Sequence, residues 1–218
     1  MNGAAGPGLG RLLGALIVGQ TGLHAAMGGL RMAMPLDALS HGASAWRVGL
    51  LLALFAAAPV LLALAAGRLV DRHGYHRPLR LAVALVGGGL LLAALSTLAL
   101  GLSHFALLAV AAILAGTGAN VGLIASQRTG GLLARSAVDR VRVFSWLGIA
   151  PSFANVIGPV TAGVLIDRGG FAVAYLALLG LPLASLVAAR AVPVQPPATG
   201  TARRRPPWDL LKTPGLKR

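Results

Sequence analysis

Six long apolar stretches with few charged residues inside them are the feature of this sequence that most constrains its fold. They cover approximately residues 12–34, 46–66, 79–101, 104–127, 143–166 and 171–189. A helix needs about 20 mostly apolar residues to cross the hydrocarbon core of a bilayer, whereas a spanning β-barrel shows short segments of alternating polarity. The sequence therefore predicts an all-α integral membrane protein with six transmembrane helices.

The composition excludes a soluble globular domain, because only 11% of the residues are charged and 56% are hydrophobic. An ordinary soluble domain carries about 25% charged residues. A cleaved signal peptide is a weaker interpretation of the first stretch, since five further apolar stretches follow it. The chain has no cysteine, which excludes disulfides, thiol catalysis and cysteine-based metal sites. We expect no cofactor and no metal.

The distribution of basic residues predicts the orientation of the chain in the membrane. With the N-terminus placed inside, sixteen of the nineteen Lys and Arg residues fall in cytoplasmic segments, and only Arg31, Arg47 and Arg168 fall outside. Cytoplasmic loops carry such an excess of Lys and Arg. We therefore expect both termini in the cytoplasm and a bacterial plasma (inner) membrane location. The net charge of +14 then reflects loops beside lipid headgroups, and nucleic acid is not an expected partner.

The chain divides into three predicted regions. Residues 1–11 form a cytoplasmic N-terminal tail, residues 12–190 form the transmembrane bundle, and residues 191–218 form a basic, proline-rich cytoplasmic linker. Proline-rich stretches of this kind are extended and solvated. The linker ends like a connector to a further segment, so we expect a truncated or half-length form of a longer protein.

An internal repeat relates the two halves of the bundle. Residues 67–75 and 163–171 share the pattern G-x-L-[VI]-D-R-x-G-[YF] at an offset of 96 positions. The first copy follows the second span and the second copy follows the fifth, so three spans separate them and the halves have opposite orientation. Inverted repeats of three spans build many secondary transporters. The repeat predicts a 3+3 arrangement; chance similarity between helix ends is the alternative.

The first copy of the repeat resembles the signature loop between the second and third helices of the major facilitator superfamily, G-x-L-x-D-R-x-G-R-[KR]. Tyr75 and His76 stand where that family usually has basic residues. The resemblance over residues 12–190 implies half of a twelve-helix transporter. It also implies a conformational gate loop that latches the outward-facing state against the second half. The matching gate residues are Gly67, Asp71, Arg72, Gly74 and Arg77.

The physical chemistry of this loop is compatible with a gate. Glycine permits tight turns and close helix approach, and Asp71 can make charge-assisted bonds that form in one state and break in the other. A basic loop that only fixes topology is the alternative. The fifth span also carries residues that look like the Gly-Pro motif of the family's antiporter branches and imply a helix-packing role. These are Gly148, Gly158, Pro159 and Gly163.

Polar residues inside the spans are candidates for lining a solute cavity, because such residues are costly in a membrane and often functional. On an ideal helix three of them share one face of the first span and three fall close together on the fourth. In the resembled family these two helices line the central cavity. Headgroup contact for Arg31, helix association for Asn120 and packing for His24 are the alternatives. The candidates are Gln20, His24, Arg31, Thr117, Asn120 and Gln127.

These features favour a secondary transporter of a small solute that works by alternating access. The implied partners are the solute, the lipid bilayer and a second six-helix half, from the same gene, a separate chain or a second copy. A non-transporting scaffold or regulatory half-protein is the alternative. An enzyme is not expected, because no phosphate-binding loop is present and the five histidines show no metal-ligand spacing.

The coupling ion stays open at this stage. No carboxylate lies within any predicted span, so His24 is the one mid-span group that could carry a proton near neutral pH. Many antiporter relatives carry an arginine on the fourth helix where this chain has Ala112. Proton coupling through His24, uniport, and coupling through the second half are the three possibilities.

Overall fold

The computed structural model describes residues 7–134 and 136–194, and every regular element within them is an α-helix. A helix satisfies its own backbone hydrogen bonds, which is why apolar segments that face lipid adopt it. In chain order the helices are α1 (Pro7–Ser40), α2 (Ala45–His73), α3 (His76–Ser96), α4 (Gly101–Leu133), α5 (Ala137–Leu178) and α6 (Gly180–Ala189).

Five helical stretches in the described residues are long and apolar enough to cross a membrane, where the sequence predicted six. The difference lies at the end of the chain, where the predicted fifth and sixth spans join into one stretch, Ala137–Ala189. No loop separates them. Only Gly170, with φ 76°, departs from helical geometry inside α5. The hydropathy pattern could not show that this junction lacks a loop.

The helices extend beyond the predicted apolar stretches. α1 begins at Pro7, inside the predicted N-terminal tail, and continues through Pro35 to Ser40. Asp37, which the sequence placed beyond the first span, therefore lies in the helix, and its side chain is fully buried. The predicted linker lies outside the described residues from position 195 onward.

α1 and α4 form the centre of the bundle. α1 packs most extensively against α5 and α6, and α4 packs most extensively against α3 and α2. α2 is peripheral, and most of its apolar side chains are exposed. This arrangement suits a bundle in lipid, where exposed leucine and valine side chains contact acyl chains instead of water.

Side-chain contacts group the turns at two opposite ends of the bundle. Asp71 at the end of α2 pairs with Arg128 near the end of α4, and His76 bonds the Val192 carbonyl after α6. We call this the basic end. At the other end, which we call the far end, Tyr175 bonds Asp37 and joins the end of α1 to the segment after Gly170.

The crossing of α1 and α5 depends on the absence of a side chain at Gly158. A Cβ atom there would collide with the Ala25 carbonyl oxygen of α1 and lie 2.8 Å from the Gly29 amide nitrogen. Both are backbone atoms and cannot rotate away. Small residues let membrane helices approach this closely, so the spacing of these two helices is set by backbone contact.

We predict that Gly158→Ala lowers the thermal stability of the purified protein. The added methyl must push α5 from α1, and overpacking of this kind costs about 1–3 kcal/mol. Gly148→Ala is the matched control, because it lies in the same helix and its Cβ position faces open space. Alanine there should be neutral or stabilising by about 0.5–1 kcal/mol. Melting temperatures that fall equally in both variants would contradict the proposed role of the crossing.

Candidate functional site

A cavity of about 240 Å³ lies between α1, α2 and α4. Its wall is mostly apolar, with a few polar groups, which is the usual character of a small-molecule site. The lining residues are His24, Met27, Arg31, Leu52, Phe55, Ala56, Pro59, Gly116, Ala119, Asn120 and Leu123.

The polar part of the wall comes from His24, Arg31 and Asn120, three of the six residues that the sequence suggested. The His24 ring is held by its Nδ1, which donates a hydrogen bond to the Gln20 carbonyl oxygen at 3.2 Å. Arg31 is the only charged residue of the wall, and no carboxylate belongs to it. The cavity therefore offers a cation, an imidazole and an amide beside an apolar surface.

The other three candidates lie away from this cavity. Gln20 is buried in the bundle, and its Oε1 has no hydrogen-bond partner among the described residues. Thr117 is half-buried and Gln127 is exposed. Helix periodicity placed Gln20 on the same face as His24. Neighbouring helices cover that face at Gln20 but leave a cavity beside His24, and periodicity cannot show which part is covered.

The sequence did not suggest the contribution of α2 to the cavity. Leu52, Phe55, Ala56 and Pro59 line it, yet nothing in their residue types separates them from apolar side chains that face lipid. The contact that brings α2 to α4 is the approach of the Phe55 carbonyl oxygen to Gly116. Gly116 was visible in the sequence as a small residue, but its partner was not.

The predicted gate loop lies at the basic end. Gly74 has φ 68°, a backbone conformation that favours glycine, and its N–H donates to the Val70 carbonyl oxygen at 2.9 Å. This residue ends α2 and allows the turn into α3. Gly67 differs, because it has helical geometry and a Cβ atom there would face open space. No helix of the described bundle approaches Gly67 closely.

Asp71 makes the principal side-chain contact of the loop. Its Oδ1 accepts a hydrogen bond from Arg128 Nε at 3.1 Å, which links α2 to α4. Asp71 is 59% exposed and Arg128 is 15% exposed. Arg72 and Arg77 are exposed and form no ion pair with the residues described here. Arg128 was not among the predicted gate residues, although it is the first basic residue after the fourth apolar stretch.

Tyr75 and His76 anchor the loop to the bundle. Tyr75 is fully buried, and this burial raises the pKa of Tyr75 to about 12. His76 Nε2 donates to the Val192 carbonyl oxygen at 2.9 Å. At the two positions where the resembled family usually has basic residues, this chain thus has one side chain buried in the bundle and one that bonds the segment after α6.

The glycine and proline residues of the fifth predicted span divide into two groups. Gly158 lies against the α1 backbone, Pro159 is near Gly28 of α1, and the Cβ position of Gly163 is 3.3 Å from the Met32 side chain. Gly148 contacts nothing within 4 Å of its Cβ position. Three of the four residues therefore face α1 in the described bundle.

A second polar cluster, which the sequence did not suggest, lies at the far end. Asp37, His41, His104 and Tyr175 meet there from α1, the turn after it, the start of α4 and the segment after Gly170. His41 and His104 are 63 positions apart, so no local spacing could reveal the cluster. The one available signal was the position of Asp37 four residues before His41, on one face of a longer first helix.

Comparison with known proteins adds the family to this geometry. No curated protein gives a significant match to the sequence. Residues 16–217 match the sequence model described as Major Facilitator Superfamily, which covers most of the chain. The match begins within α1 and continues past α6, and it includes both the cavity and the loop at the basic end. The chain therefore belongs to the major facilitator superfamily, a family of membrane transporters.

Proposed function

We propose that this protein is a secondary transporter that moves a small anionic solute across a lipid bilayer by alternating access. The observation that carries the proposal is the cavity between α1, α2 and α4, whose one charged residue is Arg31. Its volume of about 240 Å³ is just below the roughly 300–1,000 Å³ of sites for drug-sized ligands. A solute of modest size fits this space.

The electrostatics of the wall favour an anion. A guanidinium binds carboxylate or phosphate through paired hydrogen bonds, and His24 and Asn120 offer further polar contacts beside it. A cationic solute would meet Arg31 with no carboxylate in the wall to offset the repulsion. The apolar residues of α2 would contact the rest of the solute, so an organic anion suits the cavity better than an inorganic one.

Six spans in a 3+3 repeat are part of this proposal. A straight helix over the 53 residues of Ala137–Ala189 would be about 80 Å long, against a hydrocarbon core of about 30 Å. The break at Gly170 divides the stretch into residues 137–169 and 171–189. Either segment alone is long enough to cross the bilayer.

Contacts along α1 support a reversal of direction at Gly170. Before the break, Ala154 lies near Gly28 and Gly163 lies near Met32, so this segment runs parallel to α1. After the break, Tyr175 bonds Asp37, whereas Ser185 Oγ donates to the Gly19 carbonyl oxygen at 2.8 Å. This second segment therefore runs backward along α1, as a sixth span would.

The two copies of the sequence repeat also break their helices at equivalent positions. Gly74 in the first copy has φ 68° and Gly170 in the second has φ 76°, and the two residues are 96 positions apart. The packing follows the same repeat. The first helix of each half packs on the last two helices of the other half, since α1 packs on α5 and α6 while α4 packs on α2 and α3. Both observations support related halves of three helices each.

The gate loop would act against a second six-helix half. Arg72 and Arg77 are exposed at the basic end, and Gly67 leaves open space beside α2, so this surface is available to further helices. The second half could belong to the same gene, a separate chain or a second copy. In the proposed cycle, Asp71 and its neighbours hold one state by contacts that break in the other.

The proposed orientation places the basic end in the cytoplasm of a bacterial cell, with the plasma (inner) membrane as the location. The excess of Lys and Arg in the segments at this end supports it. Coupling to a proton through His24 remains one option, since His24 lies in the cavity wall. Uniport and coupling through the second half are the others.

We predict that single cysteines introduced into this cysteine-free chain will be labelled from outside the cell at the far end and only from inside at the basic end. Ser44→Cys and Asp167→Cys, both exposed at the far end, should react in intact cells with a membrane-impermeant maleimide. Ser136→Cys, exposed at the basic end, should react only after permeabilisation. Protection of Asp167→Cys in intact cells would contradict both the six spans and the inverted repeat.

We predict that Asp71→Asn shifts the protein away from its outward-facing state. Because Asp71 is exposed, its ion pair with Arg128 contributes only about 0.5–1 kcal/mol. Loss of that energy changes the ratio of the outward-facing to the other state about two- to fivefold. The measurement is the labelling rate of Ala56→Cys in the cavity wall by an external impermeant maleimide, which should fall by up to that factor.

Asp139→Asn is the matched control for this measurement. It removes a carboxylate at the same end, at a position where the main-chain N–H, and not the side chain, donates a hydrogen bond to Ser136 Oγ. The labelling rate should be unchanged in this variant. An Asp71→Asn rate equal to that of the unmodified protein would reduce the loop to a topology signal.

We predict that small organic carboxylates, and not their neutral amides, raise the melting temperature of the detergent-purified protein. In Arg31→Gln, about ten times more carboxylate should be needed for the same rise in melting temperature, because a charge-assisted bond contributes at least about 1.5 kcal/mol. Arg47→Gln, a variant outside the cavity wall whose guanidinium lies 5.8 Å from the Phe105 ring centre, is the control. Equal stabilisation by amides would exclude the anionic class of solute.

A further inference from the structure

The polar cluster at the far end joins ligating side chains from separate parts of the chain. Asp37 lies near the end of α1, His41 in the turn that follows, and His104 in the first turn of α4. Their ligating atoms lie within 4.8 Å of one another. Asp37 is fully buried, His104 is 3% exposed, and His41 is 33% exposed. The cluster is thus enclosed on the bundle side and accessible at His41.

Each of the two buried residues has one polar atom held by the protein. His104 Nδ1 lies 2.8 Å from the Ser96 carbonyl oxygen; a carbonyl only accepts, so Nδ1 carries the hydrogen. Tyr175 donates its hydroxyl to Asp37 Oδ2 at 2.9 Å. Metal-binding histidines and carboxylates are oriented in this way by a second set of hydrogen bonds.

The remaining polar atoms of these two residues face each other without a hydrogen-bond partner. Asp37 Oδ1 and His104 Nε2 are 3.6 Å apart, and neither has a hydrogen bond within the described part of the chain. His41 Nδ1 lies 3.2 Å from Oδ1 but donates to the Asp37 carbonyl oxygen instead. When His104 is neutral, its tautomer places a lone pair on Nε2, opposite the lone pairs of the carboxylate. Two buried acceptors so close together repel unless a cation lies between them.

The separation favours a metal ion over a shared proton. A proton between nitrogen and oxygen would give a hydrogen bond of about 2.7–3.2 Å. A tetrahedral metal ion with ligands at about 2.0–2.1 Å separates neighbouring ligand atoms by about 3.3 Å. The distance from Oδ1 to His104 Nε2 is 3.6 Å, which is too long for that hydrogen bond and close to the separation of tetrahedral ligands. The distance from Oδ1 to His41 Nδ1, 3.2 Å, also lies close to that separation.

We propose that Asp37, His41 and His104 bind a divalent transition-metal ion of the Zn²⁺ type at the far end of the bundle. Two imidazoles and one carboxylate are a ligand set that such ions accept, with a fourth position left for water. His41 Nδ1 donates to the Asp37 carbonyl oxygen at 2.9 Å; metal binding replaces that contact when the imidazole hydrogen moves from Nδ1 to Nε2, which leaves the Nδ1 lone pair for the ion. The ion would cross-link the ends of α1 and α4.

Metal binding to the purified full chain tests the proposal. The chain carries a removable tag without histidine, is stripped with a chelator, and is titrated with Zn²⁺ by calorimetry in detergent. We expect one Zn²⁺ per chain and a rise in melting temperature that the chelator reverses. His104→Gln should weaken binding at least tenfold. Tyr175→Phe, which keeps all three ligands, should weaken it roughly 10- to 100-fold, as loss of a supporting hydrogen bond does.

His73→Gln is the matched control, because His73 lies at the basic end, where its ring bonds the Leu69 carbonyl oxygen. It should bind Zn²⁺ as the unmodified chain does. Co²⁺ as a probe should give the visible absorption of a four-coordinate site in the unmodified chain and in the control, and lose it in His104→Gln. This readout reports the ligands in each variant independently of its stability.

Two results would overturn the proposal. One is the absence of stoichiometric Zn²⁺ binding to the unmodified chain, with a melting temperature that depends on pH and not on metal, which would assign the position between Asp37 and His104 to a proton. The other is Zn²⁺ affinity that His104→Gln leaves unchanged, which would place the ion elsewhere.

Discussion

Backbone contact at glycine holds this bundle together. Lipid is as apolar as leucine, so membrane helices gain little from hiding apolar side chains and depend instead on close packing. Gly116 meets the Phe55 carbonyl oxygen of α2, Gly118 meets the Ala82 carbonyl oxygen of α3, and Gly122 meets Leu23 of α1. α4 therefore contacts three neighbours through positions that have no side chain, and the central place of α4 follows from this.

The functional features depend on these contacts. The cavity lies between α1, α2 and α4, with His24, Arg31 and Asn120 in its wall, and the close approach of Phe55 to Gly116 forms part of that wall. The far-end cluster likewise requires the end of α1 to lie beside the start of α4. Polar groups in a membrane are costly when isolated, so a fold that gathers them in these two places concentrates its chemistry there.

Particular residues show how far sequence reasoning could go. The family resemblance rested on the loop after the second span, and the family is confirmed. Three of the six suggested polar residues line the cavity. The count of spans differed, because hydropathy separates helices by the loops between them, whereas the break at Gly170 interrupts α5 without a loop. Asp37 was overlooked because the first apolar run ends at residue 34, whereas the helix that contains Asp37 continues to Ser40.

The sequence by itself determined that this chain is an integral membrane protein built of helices, and it pointed to the family to which the chain belongs. These properties follow from composition and short-range pattern, since a bilayer accepts apolar helices and excludes unsatisfied backbone. Only the tertiary structure decided which polar residues meet. Arg128 reaches Asp71, and His104 reaches Asp37, across distances in sequence that no local pattern spans. The physical reason is that the helix crossings decide which side chains come into contact. Each crossing depends on small residues of two different helices at once.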